Sequence, residues 1–320
     1  MWFLLSLLCM LFWGGADLFY KKGTDGSDRY SHLKIAVWVG LVMGVFAVAL
    51  MPFSETKFSV HALLLNAVRY SPASLGYIVS MVVGYAGLRY LEVSVVSPVQ
   101  NASGALSAIV MVIWFSATGG LAKIKEDYNF IDLIGTVIIV AGVIALAVVE
   151  QRLAAGERGL PEEEKKYRFG ALALIFPLLY CLFDTLGTAA DGIILDEETG
   201  LGLGEIDVLI IYGLTFFVAG IIAWAFLLFK SSKPYNPFSK GERTKGVAAL
   251  FEEGGQIFYV YAMAAKPILA APMVASYCIV SVVLSRIFIK EKLKTAQYAC
   301  VAAVILGIVA LGISDGIKEG

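Results

Sequence analysis

The sequence predicts an all-α integral membrane protein whose ten transmembrane helices form two five-helix repeats of opposite orientation. Three observations predict it. Of the 320 residues, 59% are apolar and 16% charged, which leaves a soluble domain of this length too little polar surface. The apolar residues gather into runs of the roughly 20 residues that cross a ~30 Å hydrocarbon core. The two halves of the chain also repeat one another in outline.

The predicted spans of the first half are residues 2–20, 33–53, 71–91, 93–118 and 130–149. Those of the second half are 169–195, 206–229, 246–265, 268–289 and 296–313. Residues 2–20 have no basic start and no small-residue cleavage site, so they read as the first span and not as a signal peptide. The runs are apolar all round, which fits helices that satisfy their own backbone hydrogen bonds in lipid and not the alternating strands of a barrel. The 32 glycines fit close helix packing. Residues 59–70 read as a short interfacial helix leading into the third span, because Val60, Leu63, Leu64, Ala67 and Val68 recur at helical spacing beside His61, Asn66 and Arg69. The polar, charged stretch 150–168 is a solvated linker between a first unit, 1–149, and a second, 169–320. The cysteines, Cys9, Cys181, Cys278 and Cys300, all lie in apolar runs and read as small buried hydrophobes.

Leu11, Trp13 and Asp17 match Leu178, Tyr180 and Asp184 at one constant offset. Tyr85 and Pro98 match Tyr259 and Pro272 at a second, and Gly142, Ala145 and Leu146 match Gly307, Ala310 and Leu311 at a third. The order is preserved, and an odd number of spans per unit turns the second copy upside down. Inverted repeats of this kind place a binding site near the membrane midplane, between the repeats.

The run from Leu11 through Trp13, Gly14 and Gly15 to Asp17, and that from Tyr85 to Leu91 with Ser97 and Pro98 beyond it, carry a resemblance. So do the stretches from Ile289 to Leu293 and from Ala303 to Leu311. Together they resemble the EamA-type family of the drug/metabolite transporter superfamily, over nearly the whole chain. The resemblance implies a ten-helix bundle with a central cavity and transport by alternating access. Members carry amino acids, sugars, nucleotide derivatives, amines and drugs, so it leaves the substrate open.

Two arguments on orientation oppose each other. Lys21, Lys22, Arg29, Lys34, Arg89, Lys230, Lys240, Arg243, Lys245, Lys290 and others follow the odd-numbered spans, whereas the opposite side carries few basic residues. The positive-inside rule then puts both termini outside, while the resemblance puts them in the cytoplasm.

Ionisable residues within a span cost roughly 2.5–3.5 kcal/mol at its centre and usually face a cavity or a partner. Glu252 and Glu253 in the eighth span are the leading candidates. Glu252, Gln256, Tyr259 and Met263 share one helix face. Gly254 and Gly255 follow, so a neighbouring helix or ligand can come close. The matching positions of the first repeat are apolar, so duplication does not account for the acids. Asp184 lies deep in the sixth span. Asp17 is nearer a span end, with Lys21 four residues on as a helical ion-pair partner. Trp13, Tyr77, Tyr85, Tyr180, Tyr259, Tyr261 and Tyr277 recur on the same spans. Acids and aromatics on one cavity suit an organic cation. Gln100 and Asn101 follow Pro98, and Pro98 and Pro272 free backbone carbonyls in the fourth and ninth spans. The expected substrate site is Trp13, Asp17, Tyr85, Asn101, Tyr180, Asp184, Glu252, Glu253, Gln256, Tyr259 and Tyr277.

The sequence holds no HExxH, no G-x-S-x-G and no P-loop, and a net charge of −1 points away from nucleic acid. No catalytic residue, metal or cofactor is expected. The expected function is secondary transport of a small organic cation or zwitterion, proton-coupled through the buried acids, in the cell membrane, by a monomer or homodimer. Export of neutral or anionic metabolites, or a non-transporting receptor or assembly subunit, are the alternatives.

Overall fold

A computed structural model describes residues 1–25, 28–55, 59–91, 96, 99–118, 128–156, 175–196, 200–230, 234–290 and 293–319. Among them, all regular secondary structure is helical. The helices are α1 (Trp2–Gly23), α2 (Ser31–Leu50), α3 (Val60–Gly87), α4 (Ser103–Ala117), α5 (Phe130–Gly156), α6 (Ile175–Ile194), α7 (Glu205–Lys230), α8 (Arg243–Ala265), α9 (Pro267–Ala275), α10 (Tyr277–Leu284) and α11 (Thr295–Glu319). Each predicted span has a helical counterpart, with α9, α10 and a π-helical turn at Ser285–Ile289 making up the ninth. Seven helical stretches among the described residues are long and apolar enough to cross a membrane. The three predicted spans outside that set are α3, α6 and α8. Their apolar runs are diluted in α3 by Ser71, Pro72, Ser74, Tyr77, Ser80 and Tyr85, in α6 by Asp184 and Asp191, and in α8 by Glu252, Glu253 and Gln256.

The expected interfacial helix is not separate: Ser59 caps α3 by accepting from the Ala62 amide, and the helix runs unbroken to Gly87 with Pro72 inside it. The expected linker begins later than its composition predicted, because α5 continues past Glu150 to Gly156. The remainder of that linker, the start of the sixth span at 169–174, and Ser97 and Pro98 lie outside the described residues. All four cysteines are buried free thiols, as expected.

The helices pack in pairs drawn from opposite halves of the chain. α1 lies along α8, α6 along α3, α2 along α7, α5 along α11 and α4 along α9. Glycine permits the closest crossings. A Cβ on Gly40 of α2 would stand 2.6 Å from the Phe216 carbonyl oxygen and 2.8 Å from the Gly220 Cα of α7, far inside contact distance, so neither position tolerates a side chain.

Two spans are interrupted. The ninth breaks at Ser276 between α9 and α10, four residues after Pro272, whose missing amide cannot close its helical bond. The fourth is helical at Val99–Asn101, turns at Ala102 and resumes as α4. These turns stand at the same offset that relates Tyr85 to Tyr259.

In the first turn of α5, Asp132 is 1% exposed and fully engaged. Lys318 of α11 lies 2.5 Å from its Oδ2, Ser314 donates to its Oδ1 at 2.6 Å, and the Asn129 amide donates to Oδ2 at 2.9 Å. Trp2 of α1 donates its indole N–H to Asp315 at 2.6 Å, which joins α11 to the start of the bundle.

Candidate functional site

α8 brings Glu252 into the interior because the face it shares with Gln256, Tyr259 and Met263 is buried throughout. Gly254 and Gly255 let α1 approach, as their spacing predicted. A Cβ on Gly255 would meet the Trp13 indole at 2.1 Å, and from that position Trp13 donates to the Glu252 carbonyl at 3.2 Å. The Glu252 carboxylate accepts from Tyr77 on one oxygen through a short hydrogen bond and from Tyr20 on the other at 3.3 Å. Tyr85 donates onward to the Tyr20 hydroxyl at 3.2 Å. Among the described residues, Glu252 has no ion-pair partner; hydroxyls from α1 and α3 do the work a basic residue usually does.

Trp13 stands at the centre of an aromatic cluster, with ring centroids 5.2 Å from Tyr259, 5.6 Å from Tyr277 and 6.1 Å from Tyr77. Two small cavities flank this cluster. One, about 20 Å³, is lined by Trp13, Tyr77, Asn101, Tyr180, Asp184, Tyr259 and Tyr277 with small neighbours from α4 and α9. The other, about 10 Å³, is lined by Asp17, Tyr20, Tyr85, Gln100, Tyr180 and Tyr277 among others. Tyr180 and Tyr277 belong to both and form the partition. At these volumes each has room for about one water.

Each cavity holds one aspartate, and each aspartate is bound to the opposite half of the chain. Asp17 of α1 accepts from Ser281 of α10 at 2.7 Å. Asp184 of α6 accepts from Ser103 of α4 at 2.6 Å. Lys21 donates to the carbonyls of Leu88 and Leu91 at 2.7 and 2.6 Å, where it ties the end of α1 to the end of α3.

The structure thus gathers ten of the eleven predicted residues around one interior region. Glu253 is the exception. It follows Gly246 by seven residues on α8, and Gly246 lies against Trp38 of α2. Glu253 therefore faces α2, away from the tyrosine cage, though it is 5% exposed.

A fourth interior acid, Asp191, was not anticipated. It is 1% exposed on α6 and accepts a short hydrogen bond from Tyr70. Its signal was present: it follows Asp184 by seven residues and so shares that helix face. Close by run Tyr70, Ser74 and Tyr77 along one face of α3, with Tyr212 of α7 ringed by Tyr70 at 5.7 Å and Tyr77 at 5.3 Å. In this region the Ser74 hydroxyl, the Gln256 amide and Asp191 Oδ2 are buried without a well-formed hydrogen bond, and Tyr259 and Tyr212 lie close to Asp191 and Gln256.

Comparison with protein families adds the deciding observation: residues 1–148 and 199–313 match the EamA-like transporter family. The chain belongs to that family. EamA-like proteins fall within the drug/metabolite transporter superfamily, and membership makes this a multi-pass, transporter-type membrane protein whose partners are a small-molecule substrate and the lipid bilayer. A solved structure, described only as a crystal structure of a protein, is similar to it at TM-score 0.61 and 14% identity, covering 100% of this chain and 99% of its own. That likeness concerns the fold alone. Comparison with curated proteins gives no match.

Proposed function

We propose that this EamA-like protein is a secondary transporter of a small organic cation or zwitterion. In this reading it works by alternating access between two inverted five-helix repeats, 1–149 and 169–320. The observation that carries the substrate class is Glu252, an acid in the middle of the bundle with hydroxyl partners, an aromatic cluster beside it, and no ion-pair partner among the described residues. Charge pairing with Glu252 and contact with the faces of Trp13 and Tyr259 would together hold an ammonium group.

Symmetry supports the repeat reading. The pairing of α1 with α8 is mirrored by that of α6 with α3, and α1 against α10 by α6 against α4. Asp17 with Ser281 is mirrored by Asp184 with Ser103. The turns at Ala102 and Ser276 are mirrored as well. Two equivalent cavities meeting at the Tyr180–Tyr277 partition suit a site opened first from one side and then from the other. Glu252 and Asp191 have no counterpart acids in the first repeat, so they supply positions where protons and substrate exchange.

The test is uptake and release of a panel of labelled cations, zwitterions, sugars and anions by proteoliposomes, with internal pH followed in parallel. Flux confined to cations or zwitterions, accompanied by opposite proton movement and lost in Glu252→Gln, is the expected result. Flux of neutral or anionic solutes that survives this substitution leaves a transporter standing and removes the acid-site reading.

A further inference from the structure

One cavity lies away from the polar interior. It is a groove of about 390 Å³ between α3 and the α2/α7 pair, lined by Leu33 and Ala36 of α2, Ile78 and Val82 of α3, and Phe216, Ala219, Ile222, Ala223 and Phe226 of α7. Every one of those side chains is apolar. The groove opens outward where Ile222 is 64% exposed and closes inward on Phe216, which is 1% exposed and packs 5.6 Å from the Tyr77 ring. In a membrane this opening faces lipid tails and not water.

Its length and its mouth select an occupant. From Phe216 to Phe226 the α7 axis rises about 15 Å, half of a ~30 Å hydrocarbon core, so the groove spans one leaflet. At its outer end two arginines converge. Tyr30 packs edge-on against Phe226 at 5.6 Å, the Arg29 guanidinium lies 5.8 Å from the Tyr30 ring, and Arg89 donates to the Arg29 carbonyl at 3.0 Å. Arg89 also donates to the Tyr90 hydroxyl at 3.3 Å and lies 5.2 Å from the Tyr90 ring, and Lys34 on α2 is paired with Asp28 at 2.7 Å. A slot one leaflet deep, with two guanidinium groups at headgroup level, matches an acyl chain attached to a negatively charged phosphate.

We infer that the α2–α3–α7 groove is a binding site for one tail of an anionic phospholipid, whose headgroup pairs with Arg29 and Arg89. The tail would rest against Phe216 and Ile78, the apolar backing of the Tyr77 ring, and so would fill the space behind the hydroxyl that holds Glu252. This site does not depend on the identity of the transported solute.

The experiment is native mass spectrometry of the full chain, purified from bilayers of equal parts phosphatidylglycerol and phosphatidylcholine. The expected result is one retained phosphatidylglycerol in marked excess over phosphatidylcholine. Ala219→Trp, which fills the groove, should abolish retention of either lipid. Arg29→Glu, an exposed change that spares the groove, should lower the preference for phosphatidylglycerol by about tenfold. Equal retention of the two lipids by the wild type overturns the proposal, as does a phosphatidylglycerol preference that Arg29→Glu leaves intact. If Ala219→Trp does not fold, the Arg29→Glu comparison still decides.

Discussion

Glu252 is held at a set reach: its carboxylate extends far enough from α8 to meet Tyr77 of α3 and Tyr20 of α1 at once. Shortening it by one methylene keeps the charge and withdraws it from both hydroxyls. Glu252→Asp should therefore keep substrate selectivity while lowering flux per protein by roughly 10- to 100-fold, since each hydrogen bond to a charged group is worth about 1.5–3 kcal/mol. A dose–response series for the best substrate would read this as a rise in KM with the selectivity order preserved. At this scale the sequence was partly legible. An acid in an apolar run stands out by its cost, which is why Glu252, Asp184 and Asp17 could be named. Of their partners only Tyr77 stood among the candidates, because Tyr20, Ser103 and Ser281 are ordinary residues for a membrane helix. Only the third dimension turns their hydroxyls toward an acid. Glu253 shows the reverse: an acid next to the important one in sequence sits 100° around the helix and faces α2.

Helix crossings set the second scale. The α2–α7 contact rests on Gly40 and Gly220, whose backbones touch. Gly40→Leu should lower stability by about 1–3 kcal/mol or more, as overpacking does, seen as a lower midpoint in thermal unfolding in detergent. The α5–α11 pair depends instead on polar contacts. Lys318→Met leaves buried Asp132 with Ser314 and the Asn129 amide but no cation, and should cost about 1–3 kcal/mol. The double variant Asp132→Asn, Lys318→Met should recover part of that loss, because no charge then remains to be stranded. The positions of the helices were readable from hydrophobic runs, and the breaks at Ala102 and Ser276 stand beside the predicted prolines. Helix ends were less readable. α5 overruns Glu150 and α3 absorbs the amphipathic stretch before it, because a polar residue does not end a helix that already has its hydrogen bonds.

For the whole molecule, hydropathy marks seven helical stretches among the described residues as long and apolar enough to cross a membrane, and leaves out α3, α6 and α8. α6 and α8 carry acids and an amide that lower their apolar character, and of these Asp191, Glu252, Glu253 and Gln256 are buried in the bundle, whereas Arg69 of α3 is exposed. In α6 and α8 the feature that hides a helix from a hydropathy scan is the feature that makes it line the interior. Offsets between matched residues pointed to duplication, yet they could not show which helices would meet. That α1 packs on α8 and α6 on α3 is a property of two halves clasping each other across the bundle.

Glu252, Glu253, Asp184 and Asp191 occupy the bundle without a lysine or arginine in ion-pair reach among the described residues. In electrical terms such an interior is a fixed-capacity container. Bare negative charge in a low-dielectric medium is costly, so on the proposed reading each monovalent cation that enters would take the place of one proton and each that leaves would be replaced by one. With a monovalent cation as substrate, a full turnover is then electroneutral. Exchange should run at the same rate in proteoliposomes clamped with valinomycin at opposite potassium diffusion potentials, and should respond only to the pH difference across the bilayer. A rate that follows the imposed voltage would mean that charge crosses uncompensated, and that the interior acids do not titrate with the cargo.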